Sequence, residues 1–184
     1  MVEFLITTMI NNIFLTGPPS IGKTTVIKKV IEKLNKPVMG FYTQEIREAE
    51  RRIGFLLITL DGKKGYLAHQ DIKSIYNVRR YGVSIENIEN IAIPSIVPKN
   101  KNEIIVIDEI GKMECFSERF KIAATNALNS SNIVLGTIAI GGTDFIQNIK
   151  KRHDIKIYEV TRNNRDELPV IIEEEILKLY LSKY

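Results

Sequence analysis

The chain of 184 residues holds a single cysteine, Cys115. An intramolecular disulfide is therefore excluded, and so is a paired cysteine set for a structural zinc. The two histidines, His69 and His153, lie far apart and neither sits in a metal-ligand spacing, so both read as surface or core-edge residues. No apolar run approaches the ~20 residues that cross a bilayer. The opening "MVEFLITTMI" is apolar but short, without a basic leader or a small-residue cleavage site, so no secretory signal is expected there. Linkers, repeats and low-complexity segments are also missing. These absences lead to the expectation of a soluble intracellular, cytoplasmic protein forming one domain over residues 1–184. The sequence sets no oligomeric state.

What is present is ordinary in amount. Hydrophobic residues make up 44% and charged residues 26%, as in a soluble globular domain. The formal net charge of +4 is compatible with binding anions, nucleotides or nucleic acid among them. It is too small and too scattered to argue for nucleic acid alone.

The pattern along the chain alternates strands and helices. "NIFLT" (12–16) is a short apolar run stopped by Gly17, and "KTTVIKKVIEKLN" (23–35) then takes helical spacing, with Val26, Ile27, Val30, Ile31 and Leu34 on one face. "PVMGFYTQEI" (37–46) reads as a strand. "RIGFLLITL" (52–60) and "YLAH" (66–69), joined across Asp61–Gly62, read as an antiparallel ribbon. A further short strand is expected within 76–84, and a short helix stopped by prolines within 85–98. "NEIIVIDEI" (102–110) reads as a strand buried on both faces. After it come a helix (115–131, with Phe116, Phe120, Ala124 and Leu128 aligned), a buried strand (132–140), a helix (144–152), a strand (155–160) and a helix (168–183) with proline at its start. The order implies an α/β fold: a mostly parallel sheet with helices on both faces and an antiparallel ribbon extension.

The chemistry concentrates in two places. "GPPSIGKT" (17–24) fits G-x-x-x-x-G-K-[ST] between a strand and a helix. Glycines let the backbone curl so that N–H groups point inward, and the helix adds its positive end. The candidate nucleotide contacts are Gly17, Pro18, Pro19, Ser20, Ile21, Gly22, Lys23 and Thr24, with Thr25 behind them. Lys23 can reach the β and γ phosphates and so also enters the catalytic set. Thr24 offers a hydroxyl to Mg²⁺, the expected cofactor, which prefers hard oxygen ligands.

The second place is "IIVIDEIGKME" (104–114). Asp108, at the end of a buried strand, suits the metal opposite Thr24. Glu109, next to it, suits the orientation or deprotonation of an attacking water. Glu114 reads as a partner of Lys112 or Arg119. With "PVMGFYTQEI" supplying a strand between loop and acids, the order suits the inserted-strand, catalytic-glutamate branch of phosphate-loop enzymes. In that branch a polar residue ends the strand beside the acids and contacts the γ-phosphate or the water, and Thr137 is the candidate.

Together "GPPSIGKTT", "GFYTQEIRE", "RRIGF", "LDGKKGYLAH", "VIDEIGKME", "VLGTIAI" and "TRNNRDEL" make the chain resemble the small archaeal and bacterial nucleoside-triphosphatases whose animal relatives are called cancer-related nucleoside-triphosphatase. The resemblance runs nearly the whole length. It implies a P-loop NTPase fold and slow, Mg²⁺-dependent hydrolysis of nucleoside triphosphates to diphosphate and phosphate, with broad base tolerance. By position it puts the phosphate loop on Gly17 to Thr24 and the acidic pair on Asp108 and Glu109. Cys115 stands where an apolar residue such as leucine is expected.

Arg47, Arg52, Arg162 and Arg165 sit in strings of this kind. Arg47 and Arg52 flank a turn that can fold over the phosphates, and both are candidates for the arginine that stabilises the transferring group. "TRNNRD" (161–166) follows the last strand, where such loops border the base, so Arg162 and Asn164 are candidate base contacts. It loosely resembles the N-K-x-D motif but lacks the lysine, and a helix cap at Asp166 explains the same residues. Two other readings use the same loop: a kinase acting on a small molecule or RNA end, and a nucleotide-dependent RNA-binding module.

Overall fold

The computed structural model describes residues 10–183. The apolar opening read above lies, for residues 1–9, outside the described residues. Among the described residues nine strands form one sheet: β1 (Asn12–Thr16), β2 (Val38–Glu48), β3 (Arg51–Thr59), β4 (Lys64–His69), β5 (Asn77–Val78), β6 (Tyr81–Val83), β7 (Ile104–Ile110), β8 (Ile133–Ile138) and β9 (Ile155–Glu159). Their order is β5-β6-β4-β3-β2-β7-β8-β1-β9. The run β2-β7-β8-β1-β9 is parallel throughout, and β3 to β6 extend it antiparallel beyond β2.

Strand periodicity explains the two cores. Side chains alternate between the faces of a sheet. Ile13 and Leu15, Ile104 and Val106, and Ile133 and Leu135 turn to one face, where they meet α1 (Lys23–Lys33) and α6 (Leu168–Lys183) through Val26, Ile27, Val30, Ile172 and Ile176. Phe14, Ile105, Ile107 and Val134 turn to the other face. There they pack on α4 (Glu118–Asn129), α5 (Asp144–Lys150) and a helical segment over 85–95. The Phe120 ring of α4 meets Phe41 of β2 edge-on at 6.2 Å between centroids. Each fully buried side chain of this size contributes roughly 1.5–3 kcal/mol. A strand with apolar residues at every position is what two covered faces require.

Several boundaries differ from the sequence reading, each for a local reason. The segment 76–84 is not one strand: Arg79, at φ 55°, and Arg80 turn the chain so that β5 and β6 pair as a hairpin. The segment 85–95 combines α2 (Ile85–Asn87), a π turn (Ile88–Ala92) and α3 (Ile93–Ser95). Pro94 lies inside the last piece, where it has no N–H to give the preceding turn, and a local widening of the helix accommodates that loss. Helix α4 starts at Glu118, later than 115. Ser117 caps it by accepting from Phe120 N–H at 3.1 Å, and Phe116 sits in a 3₁₀ turn before it, beside Tyr76 at 5.2 Å.

The strand lying between the loop strand β1 and the acidic strand β7 is β8. The stretch 37–46, which comes between loop and acids along the chain, belongs to β2, on the far side of β7 from β8, where it also pairs with β3. Among the described residues no helix is long and apolar enough to cross a membrane.

Candidate active site

The loop between β1 and α1 is held by geometry that only small residues allow. Gly17 has φ 147°, and a Cβ there would lie 2.8 Å from the Val160 carbonyl oxygen. Gly22, at φ 112°, directly precedes α1. No side chain caps that helix and its first turn has no acidic residue, so its free N–H groups and positive pole stay directed at the loop. Lys23 folds back over the loop and donates to the carbonyls of Gly17 at 2.9 Å and Pro18 at 3.3 Å.

Across the cavity the acids stand on an irregular part of β7. Ile107 pairs with Gly136 and Ile110 with Ile138, so Asp108 and Glu109 together face one residue of β8, Thr137. This is a bulge. In a regular strand two neighbours point to opposite faces, whereas a bulge re-aims one of them. Both acids thereby line the same cavity as Lys23 and Thr24.

Asp108 is buried and closely held. It accepts from the Thr24 hydroxyl at 2.6 Å and the Thr137 hydroxyl at 2.6 Å. Burial raises its pKa above the ordinary aspartate value, and the two threonines, the Thr43 backbone N–H and the Lys23 charge work against that rise. Glu109 is partly buried. Burial pushes its pKa up and the Asp108 charge adds to this, while Lys23 opposes both. Glu114 is buried nearby, and burial, then the Glu109 charge, pushes its carboxyl up to about 8. The Glu114 carboxyl is bonded to its own backbone N–H and that of Gly111. Of the two expected partners, Lys112 and Arg119, Arg119 reaches Glu89 at 2.8 Å instead, and Glu114 turns inward.

Thr137 likewise needs correction. It is fully buried and its hydroxyl is directed at Asp108, so it orients the carboxylate from behind and does not line the cavity. Of the loop residues, Gly17, Pro19, Ser20, Gly22, Lys23, Thr24 and Thr25 line the cavity. Pro18 is exposed elsewhere, and Ile21 packs on the core formed with α1 and α6. Arg162 and Asn164 also do not line it. The side chain of Asn164 closes its own turn, accepting from Thr161 N–H at 2.8 Å and donating to the Glu159 carbonyl at 2.9 Å. Asp166 lies 3.8 Å from Lys29, and α6 begins only at Leu168. Arg165 approaches the phosphate loop: a Cβ on Gly22 would come within 3.8 Å of its Cδ.

Arg47 and Arg52 do reach the cavity. They are direct cross-strand partners one pair from the turn of the β2–β3 hairpin. Its turn, Ala49 and Glu50, has φ 44° and 65°, the positive values a two-residue hairpin favours. Glu45 holds both arginines. It accepts from Arg47 Nε at 2.9 Å and from Arg52 Nη1 at 2.7 Å. Burial works against the Glu45 charge, but the bonds from Arg52 and Arg47 and their charges prevail, keeping its carboxyl below the usual value. Arg52 also contacts the Tyr81 hydroxyl at 3.4 Å. Glu45, Tyr81, Arg79 and Thr43 were missed by sequence reasoning. The alternation Thr43, Glu45, Arg47 in "GFYTQEIRE" was the available signal, since alternate strand positions share a face. Cys115 is buried, and burial pushes its thiol up to about 12, which suits a small apolar filler.

No cluster of three or more His, Cys, Asp or Glu able to hold a metal is found among the described residues. A Mg²⁺ site built from one hydroxyl, one carboxylate, phosphate oxygens and waters does not need one. The adjacent Thr24 hydroxyl and Asp108 carboxylate are both hard oxygen donors and fit that chemistry.

A family model described as NTPase matches residues 12–173. The nucleoside-triphosphatase THEP1 of Thermotoga maritima is 41% identical over 157 residues, covering 85% of this chain and 90% of that one. The human cancer-related nucleoside-triphosphatase is 39% identical over 179 residues, covering 87% and 93%. The crystal structure of THEP1 from the hyperthermophile Aquifex aeolicus superposes with a TM-score of 0.80 at 36% identity, over 92% of this chain and 98% of that one. With the family model and relatives of this identity extending across most of the chain, the protein belongs to the NTPase family.

Proposed function

We propose that the chain is one nucleotide-hydrolysing domain that converts nucleoside triphosphates to diphosphates and phosphate. The observation that carries this reading is the convergence of Lys23, Thr24, Asp108 and Glu109 on one cavity of about 750 Å³, with Glu109 one residue past the acid bonded to Thr24. A binding module needs the loop and the lysine. It does not need a second carboxylate aimed by a bulge into the same space.

In this reading the loop N–H groups and Lys23 bind the phosphates. Thr24 and Asp108 would hold Mg²⁺, which would supply positive charge to the phosphate oxygens. Glu109 accepts a proton from a water whose oxygen attacks the γ-phosphorus. The bond to the β–γ bridging oxygen breaks, and its electron pair leaves on the diphosphate. Arg52, anchored by Glu45 and Tyr81, supplies positive charge to the transferring group, with Arg47 behind it. Broad base tolerance is supported by Asn164. Its side chain closes its own turn, and the loop lacks the lysine of the guanine motif, so the loop offers no guanine-specific pair of side chains.

Phosphate release from ATP, GTP, CTP and UTP, with and without Mg²⁺ and without any added acceptor, tests the reading. Release from all four, dependent on Mg²⁺, is expected. Release only when a hydroxyl acceptor or RNA is added would overturn it.

A further inference from the structure

The cavity does not end at the acids. Thr43 of β2 reaches Asp108 with its backbone N–H. Glu45, two residues further along the strand, stands about 7 Å beyond. From Glu45 the lining continues across the antiparallel extension of the sheet. Glu45 is the cross-strand partner of Phe55. Phe55 meets Tyr81 of β6 edge-on, with ring centroids 5.5 Å apart at 81°. Leu67 and Val78 complete an apolar floor on the same cavity.

Cations stand around this floor. Arg47, Arg52 and Arg79 all line the cavity. The Arg52 guanidinium lies 5.0 Å from the Phe55 ring and 5.9 Å from the Tyr81 ring. Against these three arginines the annex has one carboxylate, Glu45, already shared between two of them. The local charge is therefore positive, and guanidinium groups recognise carboxylates and phosphates through paired N–H donors.

The triphosphate does not account for this space. The loop backbone cradles the α and β phosphates and the lysine reaches β and γ, so the nucleoside lies on the loop side. The annex lies on the other side of the γ position, past Asp108 and Glu109. We propose that it is a second ligand site, filled together with the nucleoside triphosphate, for a small aromatic anion: a flat ring carrying a carboxylate or a phosphate. The ring rests on Phe55 and Val78, beside the Arg52 guanidinium 5.0 Å from the Phe55 ring, and the anionic group takes Arg79, which also lines the cavity. The inference rests on the reading of the loop as a nucleotide site.

The test is calorimetric titration of the full chain, saturated with Mg²⁺ and the β,γ-imido analogue of ATP. Phenyl phosphate and benzoate are the two aromatic anions, and their comparison distinguishes the head groups. Methyl phosphate lacks the ring, and benzyl alcohol lacks the charge. At least one aromatic anion is expected to bind the saturated protein at least tenfold more tightly than both controls. Arg52→Met and Arg79→Asn should each weaken that binding at least fivefold. Arg79 is exposed and its asparagine replacement tolerates the left-handed backbone at φ 55°, so it also serves if Arg52→Met fails to fold. No binding to the saturated protein, controls binding equally well, or full affinity in both variants would overturn the second site. With the analogue bound, such a failure leaves hydrolysis standing. If the analogue itself does not bind, the nucleotide reading falls and co-occupancy falls with it.

Discussion

Thr24 donates its hydroxyl to Asp108 at 2.6 Å across 84 residues of sequence. This contact joins the end of the phosphate loop to the end of the acidic strand. It brings the proposed metal-binding oxygens together within one hydrogen bond, with Thr137 bracing the carboxylate from its other oxygen.

The first prediction concerns that brace. Thr137→Val keeps the shape but leaves one buried Asp108 oxygen without its donor. The loss should cost about 1–3 kcal/mol of stability, read from thermal or denaturant unfolding. The Mg²⁺ concentration for half-maximal turnover should also rise, as it should in Thr24→Ala and Asp108→Ala. A Mg²⁺ requirement unchanged in all three would remove Asp108 as the metal's support.

The second prediction separates the two arginines. Arg52 has two anchors, Glu45 and Tyr81, and its side chain is 26% exposed, whereas that of Arg47 is 53% exposed. Arg52→Ala should lower kcat by roughly 10³-fold, the low end of the range for a charge-stabilising arginine. Arg52→Lys should restore little, because an ammonium lacks the fork that spans Glu45 and the tyrosine hydroxyl. Arg47→Ala should have the smaller effect. Steady-state kinetics that rank them in the reverse order would move the role to Arg47.

A third prediction follows from Glu114. Burial and the neighbouring Glu109 charge raise its folded pKa from the ordinary glutamate value of about 4.5 to about 8, so the folded state holds this proton more tightly than the unfolded chain does. The associated stability is fully present below about pH 4.5 and is lost as pH rises through about 8. Glu114→Gln keeps a neutral side chain at every pH. It should therefore raise the melting temperature at pH 9 much more than at pH 5, by an amount equivalent to a few kcal/mol. The same shift at both pH values would show that Glu114 is not held protonated.

How much of this was legible in the sequence depends on distance along the chain. The loop 17–24 and the pair Asp108–Glu109 could be read because each is contiguous and lies where a strand ends. The parallel core, the antiparallel extension and the helices on both faces followed from alternation and apolar runs. The bulge that turns both acids inward was not legible, since it exists only in the register of β7 against β8. For the same reason the target of Thr137 could not be read, nor the identity of the strand inserted between β1 and β7. Glu45, Arg52 and Tyr81 meet only once four strands, β2, β3, β4 and β6, have paired. Arg162 and Asn164 were assigned to the base because loops after a final strand border it in similar folds. Here the Asn164 side chain closes its own turn, and neither residue lines the cavity.

The loop itself gives a fourth prediction. Lys23→Ala should abolish tight triphosphate binding or turnover while the fold persists, because the lysine lines the cavity and its bonds among the described residues are to the loop carbonyls of Gly17 and Pro18. Circular dichroism and nucleotide titration check both halves. A folded variant that hydrolyses at the wild-type rate would remove the loop from the mechanism.

The central claim is that Glu109 makes this site a hydrolase. Glu109→Gln keeps the size of the side chain and one acceptor oxygen but loses the charge and most of the basicity. ATP binding rests on the loop, Lys23 and Mg²⁺, so affinity should be retained. Single-turnover hydrolysis should fall by roughly 10²- to 10⁴-fold, the range for a lost general base, and the change should appear in kcat with KM nearly constant. Measuring ATP affinity and single-turnover rate side by side for wild type and Glu109→Gln is the most direct test. Retained affinity with a collapsed rate is the predicted result. Equal rates at equal affinity would contradict it and leave the neighbouring buried acid, Glu114, as the next candidate.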